Sequence, residues 1–280
     1  MFKRLSVLAA IMPVLIISFH ADSAVQQKDI VNWTSGVIVS HGRCRVTVNE
    51  GGTPVDEDKS SAISLNRGRA ASYRKAREQA FESMSRLVRG IRVDADTMMT
   101  DLLEESDIVQ SRLVNIISSR IKLSFFPVDF YTSGCRAELK IGDLLPAVPY
   151  KYQADDFPAR IDNPIPTDYT SLIIDVRGLG IEPMILPSVF NESGLEVFGR
   201  HYIDIRHATK FGIVSYAFSE NDAMKSPLAG DHPYYTVAVG GLKGCPVLSN
   251  RDIKKIFCSI RTIEYLKKCR VIFIIDKITK

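Results

Sequence analysis

Proline placement divides this chain. Five of its 13 prolines (Pro146, Pro149, Pro158, Pro164 and Pro166) fall within 21 consecutive positions. Each fixes its own φ, lacks an amide donor and pushes the preceding residue toward extended geometry, so neither a helix nor a central strand runs through this stretch. Residues 146–167 therefore read as a semi-rigid linker, kept solvated by Asp155 and Asp156. The 280 residues then separate into two units, 25–145 and 168–280, each long enough to bury a core.

The first 24 residues are a further object. Lys3 and Arg4 precede an apolar run from Leu5 to Phe19, and a short polar stretch leads to Ala24. This is the layout of a secretory signal peptide, with cleavage expected near Ala24. The apolar run is shorter than the roughly 20 residues of a spanning helix and carries Pro13, so no transmembrane span is expected in the mature chain. No cysteine follows the run for acylation, so attachment to a membrane is expected only through protein contacts and the location is the periplasm. A composition of 45% hydrophobic and 24% charged residues excludes wholesale disorder and fibrous folds. The net charge of +4, without interleaved basic and aromatic residues, gives no reason to expect nucleic acid.

Within 25–145 the hydrophobic periodicity is legible. Val37–Val48 alternates as a strand and closes on Asn49, Glu50, Gly51 and Gly52. From Leu65 to Ile91, Tyr73, Ala76, Ala80, Met84, Leu87, Val88 and Ile91 recur in steps of three and four, which predicts a long helix packed closely on a sheet. A second strand is expected over Ile91–Leu103. A short helix should follow with Val109, Leu113, Ile116 and Ile117 on its buried side, then a hairpin, Ile121–Tyr131 and Cys135–Ile141, turning at Thr132, Ser133 and Gly134.

In 168–280, strands are expected at Ser171–Val176, Met184–Phe190, Leu195–Phe198, Phe211–Phe218 and Tyr234–Val239. Ser249 and Asp252 have capping-box spacing ahead of one helical stripe, Ile253, Ile256, Phe257, Ile260 and Ile263. Arg270–Asp276 encloses an apolar run suited to a strand buried on both faces. The expected fold class is α+β: two mixed α/β domains, each a strand-rich sheet packed against helices.

Five cysteines in an exported chain permit disulfides but leave at least one thiol over. Cys44 and Cys135 lie in the first and last strands assigned to the first domain and form the candidate bridge; isolated buried thiols are the other reading. GxSxG, HExxH and the phosphate-binding GxxxxGK[ST] loop are all absent. Gly178 and Gly180 follow a strand, but Pro183 occupies the third glycine position of a dinucleotide fingerprint, so they read as a turn. Asp94 and Asp96, with His201 and His207, are the residues a metal-dependent hydrolase would use. Against that, neither histidine has the spacing that sets two imidazoles on one helix face. Neither catalytic residues, a cofactor nor a metal site is assigned. Asp231–Tyr235, and within it Tyr234 and Tyr235, is the candidate partner contact.

The order of motifs in the first domain resembles the exported bacterial domain of FlgP-type and FlgT-type flagellar envelope proteins and related small outer-membrane lipoproteins. Gly36–Val48, Gly68, Arg69, Ala70, Ala71, Arg77, Ala80 and Leu87–Val93 carry the likeness, which extends from Gly36 to Leu145. The family pattern is a glycine-containing strand, a long helix with an alanine- and arginine-rich start, a short helix and closing strands. The acylated cysteine of the lipoprotein members is missing, so the chain is more similar to the ring-forming periplasmic members. The resemblance implies a non-enzymatic assembly or structural protein, with envelope or flagellar basal-body proteins, or a second copy of itself, as partners. An envelope metal-dependent hydrolase and a glycan-binding module are the alternatives.

Overall fold

The computed structural model describes residues 28–149 and 167–277. The expected signal peptide, 1–24, and linker residues 150–166 lie outside the described residues. The elements of the first half are β1 (Ile30–Asn32), β2 (Val37–Arg45), α1 (Leu65–Arg89), α2 (Met99–Glu105), α3 (Asp107–Arg120), β3 (Lys122–Pro127) and β4 (Thr132–Lys140). A 3-10 helix, Ile141–Ala147, follows. The sheet is antiparallel in the order β1-β2-β4-β3, and α1 lies across one face.

Helix α1 starts where Ser64 accepts from the Arg67 amide, and it buries Gly68, Ser72, Ala76, Ala80, Met84 and Val88, a stripe of fourth residues. Small side chains dominate the first part of that stripe, so helix and sheet approach closely. Gly42 faces the Ala76 carbonyl across the contact, Ser40 donates to the Ala80 carbonyl at 2.7 Å, and the Ser72 and Ser133 hydroxyls meet at 2.6 Å.

Two local expectations are corrected here. Ile91–Leu103 is not a strand: Asp94 accepts from the amides of Asp96 (3.1 Å) and Thr97 (3.0 Å), folding the chain back so that Arg92 meets Met98 in an isolated bridge. Asp101 then accepts from the Met98 amide at 2.7 Å, and α2 begins. The hairpin turns at Val128–Tyr131 rather than at Thr132–Gly134, because Asp129 accepts from the amides of Tyr131 and Thr132. Gly134 sits inside β4, where a side chain would enter the ring of Phe126.

The second half contains β5 (Ser171–Asp175), β6 (Val189–Asn191), β7 (Glu196–Phe198), α4 (Ile205–Phe211), β8 (Ser215–Ala217), α5 (Glu220–Lys225), β9 (Pro233–Val237), β10 (Gly240–Leu242), β11 (Cys245–Leu248), α6 (Asn250–Ile256), α7 (Ile260–Lys267) and β12 (Val271–Ile274). Strands β8-β12-β5-β9 form an all-parallel sheet, with β12 buried along its whole length as its apolar run requires. A second, mixed sheet runs β10-β11-β6-β7. The strand expected over Met184–Phe190 is confined to β6. Much of Phe211–Phe218 is likewise not strand: α4 ends at Phe211 and only Ser215–Ala217 joins the sheet. The single helix expected from Ser249 is two, because Ser259 accepts from the Thr262 amide at 3.2 Å and caps a new start. The fold is α+β.

The halves share one hydrophobic core that runs from Ile38 and Leu139 to Val271 and Phe273. Main-chain bonds join them, Ile185 to the Arg92 carbonyl (3.0 Å) and Leu186 to the Val93 carbonyl (2.8 Å). The start of the proline-rich stretch belongs to this junction: Ala147 and Val148 are buried, and Gly142 packs against the Thr209 carbonyl. Trp33 meets Tyr216 edge-on at 5.6 Å beside a cleft of about 330 Å³ between the halves.

Candidate functional site

Strand β9 places Tyr234 and Tyr235 at one edge of the parallel sheet, paired with β5 through Leu172–Tyr234 and Ile173–Tyr235. Consecutive residues of a strand point to opposite faces, so the two tyrosines enter different surroundings. The Tyr234 hydroxyl donates to Asp252 Oδ1 at 2.6 Å, and its ring lies 4.8 Å from that of Tyr169. Thr236 and Ser249 donate to the other oxygen of Asp252 at 3.0 and 2.7 Å. Burial alone would raise the Asp252 carboxyl, but the three hydroxyl donors prevail and hold it below the usual carboxylate range. The same burial, and donation to a carboxylate, push the Tyr234 phenol well above its ordinary value.

Tyr235 faces the helix α5 side. Its hydroxyl lies 3.0 Å from both Asp175 Oδ2 and Glu220 Oε1, and burial followed by these carboxylates pushes the phenol up to about 12. Asp175 is held low chiefly by the Arg177 guanidinium, which also reaches Glu220 at 3.3 Å. Beyond β5, the Gly178 amide donates to Asp276 at 2.8 Å and both Gly178 and Gly180 have positive φ, as a turn requires. In an open parallel sheet the crevice at the carboxyl ends of the strands is the usual ligand site. Here Asp175, Glu220 and Asp276 are engaged with Arg177, Tyr235 and a main-chain amide.

Both tyrosine hydroxyls are thus committed inside the fold. The free feature is the strand itself. The outer edge of β9 has no strand neighbour among the described residues. The Ala238 amide bonds back to Asp175 and the His232 carbonyl accepts from Thr170, so by alternation the amides of Tyr235 and Val237 point outward. Val237 is 58% exposed along this edge, and just past the strand the Val239 amide turns to the Val247 carbonyl of β11 at 2.9 Å.

Removal of the Tyr234 hydroxyl separates a structural role from a partner-binding one. Tyr234→Phe leaves Asp252 without one donor and should lower unfolding free energy by about 1–2 kcal/mol at pH 7 in urea denaturation. Because the folded Asp252 pKa is depressed, its contribution is present above the unfolded value of about 3.9 and is lost as pH falls through the folded value, so the deficit should fade in acid. An unchanged midpoint at pH 7 would mean that the hydroxyl is not used by the fold.

The candidate disulfide is not formed. Cys44 opposes Ser133 and Cys135 opposes Gly42 in the β2–β4 ladder, so the thiols are diagonal rather than directly opposite, and both are free. Burial raises both thiols above their ordinary value. Asp94 serves its turn, His207 stands 3.5 Å from Asp204 at the start of α4, and His201 accepts from Arg200 at 3.3 Å. Each engages its own neighbours, and among the described residues no group of three His, Cys, Asp or Glu is placed to hold a metal ion.

Sequence reading missed the uncovered face of the first sheet. Residues of β2 and β4 that alternate away from α1 include His41, Arg43, Arg45, Arg136, Glu138 and Lys140, with Lys122 and Ser124 from β3 beside them. The signal was present as cations an even number of positions apart along strands, Arg43 with Arg45 two apart and Arg136 with Lys140 four apart.

A family model described as the second domain of Treponema pallidum Tp0624 matches residues 171–277, from the start of β5 to just past β12. The second half of this chain is therefore similar to one domain of that protein. No curated protein matches the chain.

Proposed function

We propose that the chain is a non-enzymatic assembly protein of the bacterial cell envelope, acting in the periplasm within the flagellar basal body or the ring around it. The observation that carries the reading is the free edge of β9, with outward amides at Tyr235 and Val237 and an exposed Val237 side chain. Such an edge accepts an added strand from a partner or from a second copy, with main-chain bonds supplying affinity and alternate side chains specificity. The leader-like start and the resemblance from Gly36 to Leu145 support the envelope and flagellar part of the reading.

A photo-cross-linking residue at Val239, in cells, followed by mass spectrometry, tests it. Basal-body or ring components, or the chain itself, should be recovered. Val237→Pro removes an outward amide without touching the β5 ladder and should abolish the adducts. Adducts that persist in Val237→Pro would sink edge docking, and recovery without envelope components would remove the flagellar assignment.

A further inference from the structure

We infer that the first half carries a docking surface for an anionic lipid bilayer, formed by the β3–β4 hairpin tip and the sheet face opposite α1. The inference rests on the first half alone and does not need the strand-edge reading. Side chains on that face are exposed or half-buried; of its residues only Gly134, which has none, is buried. The cations Arg43, Arg45, Lys122 and Lys140 form no ion pair among the described residues, whereas Arg136 is paired with Glu138 at 2.5 Å. Of the other acids near the face, Asp29 is turned to His41 at 3.4 Å and Asp129 lies within electrostatic reach of Arg45. The acidic loop after β2 sends Glu57 to Lys75, on the α1 side. One face is therefore positively charged and open.

At the hairpin end of the sheet the surface changes character. Val128 is exposed and Phe130 is 60% exposed in the turn, while Phe125 of β3 lies on the α1 side with its ring 5.8 Å from that of Tyr73. Val128 and Phe130 are held out by a built loop. Asp129 accepts the two amides that close the turn and stays ionised, with Arg45 among the groups acting on its charge, and Arg69 donates from Nε and Nη2 to the Phe130 carbonyl while lying 4.7 Å from the Phe130 ring. Arg45 stands opposite Thr132 where the loop begins, and Arg43 one ladder step behind it opposite Gly134. The second half attaches at the other end, around the 3-10 helix and Gly142, so nothing described stands in front of the tip.

Apolar side chains on a rigid tip, with Arg43 and Arg45 beside it on a net basic face, fit the interface of a bilayer. The tip enters the headgroup boundary while the cations meet anionic lipid. An acidic protein surface would use the charges but leave Val128 and Phe130 in water, so the bilayer accounts for both features.

The test is co-sedimentation of the full chain with phosphatidylcholine vesicles, with and without phosphatidylglycerol, at low and high salt. Binding should require phosphatidylglycerol and be lost at high salt. Arg43→Glu with Arg45→Glu should weaken it by at least about fivefold per position. Val128→Ser with Phe130→Ser should weaken binding to the same vesicles while leaving salt sensitivity intact. All four positions are exposed or half-buried, and an unchanged thermal transition confirms that the fold persists. No binding at low salt, equal binding to both vesicle types, or insensitivity to either double substitution would overturn the inference.

Discussion

Alanine in place of Gly42 lowers the free energy of unfolding by about 3 kcal/mol or more and the thermal midpoint by about 6–12 °C. A Cβ at this position would stand 1.9 Å from the Ala76 carbonyl oxygen and 2.7 Å from the Ala80 amide nitrogen. Both belong to the main chain of α1, so no rotamer change relieves the clash and the helix has to lift from the sheet. Lifting it would also break the Ser40 bond to the Ala80 carbonyl and loosen Met84 and Val88. Gly134→Ala is the matched comparison, because its Cβ would meet the Phe126 ring at 2.4 Å and that ring stands on the open face, free to turn away. Urea denaturation of the two variants should show a much larger loss at position 42. Equal losses would mean that close approach of α1 is not what holds this layer.

The contrast also shows what a sequence discloses and what it withholds. Helix α1 was legible because its buried stripe repeats every fourth residue and Ser64 caps it, both local properties of the chain. Strand β12 was legible because a short, wholly apolar run has few other places to go. Gly134 was misread as a turn because glycine has two uses, positive φ and absence of a side chain, and only the cross-strand partner Phe126 says which applies. Asp94 and Ser259 redirected the chain through side-chain bonds to nearby amides, and such bonds compete with strand and helix without changing the hydrophobic pattern. Tyr234 and Tyr235 stand out in the sequence as strand residues and a candidate partner contact, but their hydroxyls are spent on Asp252, Asp175 and Glu220, which come from elsewhere in the sequence. The free edge depends on which strand is last in the sheet, an outcome of tertiary order that no local pattern encodes.

Phe273→Ala should remove about 3–5 kcal/mol of stability, and the reporter for it lies in the other half of the chain. Phe273 is fully buried in β12, and its ring meets that of Tyr216 edge-on at 6.0 Å. Tyr216 in turn donates to the Met184 carbonyl at 3.0 Å and carries the ring of Trp33 at 5.6 Å. Trp33 is the single tryptophan of the chain and follows β1, so its emission reports on the junction from the side of the first half. If the shared core makes the halves one cooperative unit, Trp33 fluorescence and far-ultraviolet circular dichroism should give the same midpoint, and Phe273→Ala should lower both together. If the proline-rich stretch separates two independently stable domains, the substitution should melt the second half first. Circular dichroism would then lose amplitude in two steps, with the Trp33 signal changing in the earlier one as Tyr216 leaves. The main-chain bonds from Ile185 and Leu186 to Arg92 and Val93 favour the single transition, because opening the junction strands four backbone groups at once as well as the aromatic contacts.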